Sequence, residues 1–190
     1  MTTAKPPVEA PTMLPDQMEK ERVYRWDKRK SLSDAFLMSR LPDLRTDVYK
    51  IINKGISENP AGDPAISIEH PFSMTIVGIE PDHGNGLHSH TTQEVFFPLD
   101  GNLVFAWGDN AEHSLELGPW DVITIPENVM RQFWNHSGKT VHLLAMLGGT
   151  NADTKGSMTY HPRVLEEVQK TGMRLDEEGK LVLPTEKATG

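Results

Sequence analysis

Gly86-Leu87-His88-Ser89-His90-Thr91-Thr92-Gln93-Glu94, with six residues between Glu94 and Gly101, is the stretch on which the reading of this chain turns. Two histidines separated by one residue lie on one face of an extended strand, because side chains alternate with period two. Glu94 shares their parity, so it points the same way if the chain stays extended through Thr91-Thr92-Gln93. Two imidazoles and a carboxylate converging on one point suit zinc, iron, nickel or manganese. They also match, in number and type, the ligand triad of non-haem iron oxygenases.

Outward from this stretch the signal is β. Ala65–Glu69, Phe72–Glu80, Glu94–Leu99, Leu103–Trp107, His113–Leu117, Val122–Ile125, Arg131–Asn135 and Val141–Leu147 are short apolar-rich segments. Gly, Pro, Asp and Asn clusters punctuate them, as at Asp100-Gly101-Asn102 and Gly108-Asp109-Asn110. Many short strands at regular spacing predict an antiparallel sandwich or barrel, and the lack of an intervening helix argues against a parallel βαβ fold.

The flanks read differently. Pro6, Pro7, Pro11 and Pro15 break regular structure, so residues 1–20 are expected to form a flexible arm. Residues 21–64 are expected to form a packing or dimerisation arm. Within them Ser33–Met38 is predicted to make a helical turn or two, and Val48–Ile52 a strand. The barrel is expected over 65–150, and a C-terminal helix and tail over 151–190. Thr159-Tyr160-His161-Pro162 opens that helix with a cap and an early proline. Its stripe of Val164, Leu165 and Val168 is expected to dock on the β core, with Thr171-Gly172 ending it and a hairpin-like turn near residues 176–180.

Composition narrows the function. At 190 residues the chain is long enough to bury a core, and 37% of it is hydrophobic. The formal charge of -8 and pI near 5.4 disfavour nucleic acid and anionic membranes as partners. No run of apolar residues is long enough to span a membrane, and Met1–Ala10 lacks the apolar core of a secretory signal. With no cysteine, disulfides, thiolate metal sites and cysteine nucleophiles are excluded. A cytoplasmic location is the default expectation. No serine elbow or phosphate-cradling loop is present, and Gly84-Asn85-Gly86 precedes a strand, not the helix a dinucleotide site needs.

The His88–Gly101 stretch resembles the first signature of the cupin superfamily. Asp121-Val122-Ile123-Thr124-Ile125-Pro126, followed by Phe133-Trp134-Asn135, resembles the second at the right spacing. The resemblance covers residues 66–148. It implies a double-stranded β-helix (a jelly-roll barrel) with the site inside, and a homodimer. Within such a barrel His88, His90 and Glu94 are the candidate metal ligands. Phe96 and Phe97 flank the site, so one ring lines the cavity and the other packs outside.

The chain departs from the cupin pattern at three positions. Arg131 stands where a histidine is expected between Pro126 and Asn135. Asn128 stands where a glycine is expected two residues after the proline. Asp82 stands where a glycine is expected six residues before His88, although Gly84 and Gly86 are close. Arg131 has three readings. It can sit beside a three-ligand metal and grip an anionic substrate, since guanidinium binds carboxylates bidentately. It can replace the metal and pair with Glu94. It can lie at a solvated rim and do nothing. The first is favoured.

Other residues carry weaker expectations. His142 lies in an apolar strand and could supply a missing ligand, although a histidine there is more often just hydrogen-bonded. Met74, Phe133, Leu144 and Met146 are candidates for an apolar cavity lining and equally good core residues. Gly101 is expected to supply a turn, and Asn135 to fix a turn or strand end. The expected function is a metal-dependent, dioxygenase-like enzyme acting on a small organic acid. Iron is the favoured divalent metal, with nickel, manganese or zinc as other candidates. Arg131, Phe96 and Phe133 are the expected substrate contacts. The alternatives are a metal-free small-molecule binding protein and a cupin isomerase or epimerase.

Overall fold

The structure is a computed structural model that describes residues 13–59, 61–148, 157–175, 177 and 181–182. Its strands, in chain order, are β1 Asp47–Ile52, β2 Phe72–Ile79, β3 His83–Gly84, β4 His88–His90, β5 Gln93–Pro98, β6 Leu103–Trp107, β7 His113–Leu117, β8 Ile123–Ile125, β9 Arg131–Asn135, β10 Val141–Gly148, β11 Met158–Tyr160, β12 Arg174–Leu175 and β13 Leu181–Val182. Two helices are described, α1 Pro15–Arg22 and α2 Pro162–Gln169. One antiparallel sheet runs β1-β2-β10-β5-β8. It faces a second of order β11-β4-β9-β6-β7, with β3 paired to β9, while β12 and β13 form a separate hairpin. This is the jelly-roll barrel expected from the strand pattern.

Alternation along the strands builds the interior. Val77, Ile79, Phe96, Leu103, Phe105, Ile125, Phe133, Val141, Leu143 and Ala145 pack into one buried cluster. In β10 the even-numbered residues take the opposite face, so Leu144 and Met146 lie outside with Met74 and do not line the interior. Ala65–Glu69, expected as a strand, contributes one parallel bridge from Ile66 to Ile52.

Two departures from the cupin pattern are conformationally silent. Asn128 and Asp82 both adopt left-handed backbone, at φ +61° and +56°. Asn and Asp are the non-glycine residues that best tolerate this region, so the turns survive without glycine. Gly101 is needed for a different reason than expected. Its φ is not left-handed, but a Cβ there would meet Val141 Cγ2 at 2.5 Å. Asn135 is fully buried and donates to the carbonyls of Ile79, Glu80 and Lys139, tying two turns to the end of β9.

The arms differ most from expectation. Pro15 occupies the first turn of α1, where its missing N–H costs nothing, so the helix forms despite the neighbouring prolines. The helical turns expected near Ser33–Met38 appear as short 3-10 turns at Leu37–Arg40 and Pro42–Leu44. β1 pairs with β2, so this part of the arm covers the edge of its own chain's sheet. The α2 stripe docks on the arm and on β11, apart from the main core cluster: Val164 and Val168 pack with Leu37, Met38, Tyr160 and Met173. His161 caps α2 through Nδ1, which accepts from the Arg163 N–H. Residues 1–12 and the turn between β12 and β13 fall largely outside the described residues.

Candidate metal centre

The three expected ligands meet, by a route other than the one their parity suggests. The chain does not stay extended from His88 to Glu94. It bends at Thr91-Thr92, where β4 in one sheet gives way to β5 in the other. The two imidazoles therefore come from one wall of the barrel and the carboxylate from the facing wall. One candidate ligand atom from each of His88, His90 and Glu94 lies within 4.8 Å of the other two, and all three side chains are buried.

Local hydrogen bonding sets the chemistry of His88. Its Nδ1 lies 2.6 Å from the Gly86 carbonyl oxygen, which can only accept, so Nδ1 carries the proton and Nε2 presents a lone pair. Burial and the positive charge of Arg131 hold the ring neutral, with its pKa lowered to about 3. The lone pair faces His90 Nε2 at 3.2 Å. His90 Nε2 is 3.6 Å from Glu94 Oε2. These separations suit ligands bonded at ~2.1 Å to one ion, so the residues fit a divalent transition metal. His90 lacks the support that His88 has: its Nδ1 is buried without a hydrogen-bond partner among the described residues. Without an ion, His90 Nε2 carries the proton and donates to the His88 lone pair, and no described group on the Nδ1 side holds the ring.

Arg131 lies on β9 directly opposite His88, which puts both side chains on the inner face. It is 1% exposed. Its Nε and Nη2 donate to Glu94 Oε2 at 3.0 and 2.8 Å, and Nη1 donates to the Val129 carbonyl at 3.3 Å. Burial pushes the Glu94 carboxyl up and draws the Arg131 guanidinium down. Their direct contact opposes both shifts, and a guanidinium does not give up its proton in such a pair, so the pair is ionic. The solvated-rim reading of Arg131 is thereby overturned. For the substrate-clamp reading, three of the five guanidinium N–H groups are already engaged by Glu94 and Val129, and Arg131 is not among the cavity-lining residues.

Beside the cluster lies a cavity of about 60 Å³. Phe96 and Phe133 line it, as expected, together with Val77, Ala145 and Leu147. The two rings stack edge to face at 5.7 Å, while Phe97 packs outside against Trp120 at the same centroid distance. Sequence reasoning missed the other walls. Phe36, Met38, Val48 and Lys50 from the arm close one side, and Met158 of β11 closes another. Asn85 also lines the space and locks β9 in place, its Oδ1 accepting from the Phe133 N–H at 2.6 Å. Glu58 Oε2 accepts from Tyr160 Oη–H and from the Leu37 N–H, joining the arm to β11. The available signal was the apolar run Phe36-Leu37-Met38, which has no partner within its own short turn.

His142 is not a ligand. It lies on the outer face, where its Nδ1 pairs with Asp100 Oδ2 at 2.6 Å.

A barrel of two facing antiparallel sheets, with two histidines and a glutamate inside one end, defines a class of protein. Residues 75–147 match the family model described as Cupin domain. By this match the barrel over residues 75–147 is assigned to the cupin superfamily. The barrel is similar to the polyketide cyclase RemF from Streptomyces resistomycificus, with 21% identity, a TM-score of 0.50, and coverage of 67% of this chain and 78% of that one. It is also similar to Lactobacillus farciminis oxalate decarboxylase in a formate complex, with 16% identity, a TM-score of 0.52, and coverage of 74% of this chain and 36% of that one. The chain thus spans about a third of the length of the decarboxylase. At these identities the likeness is one of fold. No curated protein matches the chain in sequence.

Proposed function

We propose that the chain is a metal-dependent cupin enzyme acting on a small organic acid, with His88, His90 and Glu94 holding the ion. Dioxygen-dependent oxidation with iron is the favoured chemistry, and the ligand set also suits nickel, manganese or zinc. The observation that carries this reading is the aimed lone pair of His88 Nε2, fixed by the Gly86 carbonyl and facing His90 Nε2 and Glu94. A bound ion would supply Lewis acidity and open positions for substrate. The chain supplies the rest. The Gly86 carbonyl sets the His88 tautomer, and Arg131 keeps Glu94 ionised and oriented. Phe96 and Phe133 exclude water, while Phe36 and Met38 close the cavity. Substrate binding by Arg131 gives way here to positioning of Glu94.

One observation favours a second reading, a metal-free binding module. Arg131 already satisfies Glu94, so the cluster is electrically complete without an ion. Elemental mass spectrometry on tag-free protein separates the two. The first reading predicts near-stoichiometric transition metal that is lost in His88→Ala, and oxygen consumption when small organic acids are added to the iron form. Metal absent from the parent but present in Arg131→His would establish the second.

A homodimer remains part of the proposal. The outer face of the five-stranded sheet supports it, where Phe97, Leu144 and Met146 are partly exposed beside Trp120, which is 75% exposed. Sedimentation of Leu144→Glu as a monomer would bear this out, and an unchanged dimer would move the interface elsewhere.

A further inference from the structure

We propose that Arg131 couples metal binding and anion binding at this site, so that each strengthens the other. The inference rests on the metal-centre reading above. Its basis is the charge enclosed at one end of the barrel. Glu94 contributes one negative charge and Arg131 one positive charge at 2.8 Å, and both are buried. His88 and His90 must be neutral to act as ligands. The cluster therefore sums to zero before an ion arrives and to two positive charges afterwards. The surroundings do not correct this. Lys50 and Lys54 line the same cavity, Lys54 being paired outside it with Asp63 at 3.1 Å, and Glu94 is its one lining carboxylate among the described residues. Lys50 is itself buried, its ammonium held by the carbonyls of Ala61 and Gly62 and not by a carboxylate.

A divalent ion in this pocket lacks a compensating charge in a region that water reaches poorly, which is costly. A small anion in the cavity supplies that charge. The anion, for its part, faces a cluster of no net charge when the ion is absent, because the Arg131 guanidinium is already paired with Glu94. Each guest therefore raises the affinity of the other. The cavity of about 60 Å³ limits the anion's size. That is room for roughly four water molecules, which suits a carboxylate of a few heavy atoms. The substrate class is therefore a short-chain carboxylate whose apolar part meets Phe96, Phe133 and Ala145.

The test uses the full, tag-free chain in a chloride-free nitrate buffer, with Zn²⁺ and acetate as the two probes. Zn²⁺ affinity is measured by calorimetry with and without acetate, and acetate affinity with and without Zn²⁺. The two enhancement factors must be equal by linkage and should fall in the range of about 5–150-fold. Arg131→Lys keeps the charge and should keep the coupling. Arg131→Gln should bind Zn²⁺ more tightly without acetate and lose most of the enhancement, with Arg131→Met, which adds no strong zinc ligand, as the replacement should Arg131→Gln fail to fold. Equal Zn²⁺ affinity with and without acetate in the unmodified chain would overturn the coupling and leave the metal site standing. Undiminished enhancement in the neutral variants would overturn the role of Arg131. No Zn²⁺ binding under either condition would overturn the metal reading itself.

Discussion

The two ends of this barrel are equally buried and chemically opposite. At one end Leu103, Val141 and Leu143 are at most 1% exposed, in contact with other apolar side chains. At the other, Arg131 is just as inaccessible, yet it stands among Glu94, His88 and His90. The first end gains free energy from removal of apolar surface from water. The second loses free energy when its charges are desolvated, and recovers it only while each charge keeps its partner. One set of strands serves both ends, because β9 and β10 run the length of the barrel with alternate residues inward. The dry end makes the fold stable, and that stability lets the polar end persist.

The sharpest way to break the contrast is to remove one charge. Glu94→Ala leaves Arg131 buried without a counterion and should cost about 3–5 kcal/mol in urea unfolding. Replacing both partners, as Arg131→Met with Glu94→Leu, should restore stability to near the parent value while abolishing metal binding. A double variant as unstable as the single one would show that the pair itself holds the fold. At the dry end Leu143→Ala should cost about 2–5 kcal/mol through lost packing. Metal content per folded molecule should not change there, which elemental analysis would check.

Two smaller effects concern the connections between the ends. Asn128 holds a left-handed turn and donates its N–H to the His90 carbonyl at 2.7 Å. Asn128→Gly should be nearly neutral, whereas Asn128→Val should cost about 1–2 kcal/mol by forcing a β-branched residue into that region. Glu58 should give a modest pH dependence. Burial raises its carboxyl above the ordinary value of 4.5. A raised carboxyl binds its proton more tightly in the folded chain than in the unfolded one. Its contribution is therefore fully present below the unfolded value and is lost as pH rises through the folded one. Glu58→Gln retains an acceptor for Tyr160 and Leu37, so its Tm relative to the parent should rise between pH 4.5 and 7. A parallel pair of Tm profiles would contradict this.

Much of the contrast was legible in the sequence. The strands of the barrel follow from alternation and turn residues, and the candidate triad from the spacing of His88, His90 and Glu94. What escaped had physical causes. Parity places His88, His90 and Glu94 on one face only along a continuous strand, and the bend at Thr91-Thr92 replaces that route with convergence from two sheets. Met74, Leu144 and Met146 are as apolar as their inward neighbours, so hydrophobicity could not tell the faces apart. The partner of Arg131 was open among three readings because pairing depends on register between β4 and β9, which no local pattern encodes. Closure of the cavity by Phe36 and Met38 is a contact between segments far apart in sequence.

The central claim is that the polar end holds a metal ion between its two histidines and Glu94. The direct test is a crystal structure of tag-free protein supplied with Fe²⁺ anaerobically, with diffraction recorded on both sides of the iron absorption edge. The account predicts an anomalous peak at ~2.0–2.2 Å from Nε2 of His88, Nε2 of His90 and an oxygen of Glu94. A site without anomalous signal, with Arg131 still bonded to Glu94 and His90 hydrogen-bonded to His88 through Nε2, would contradict it.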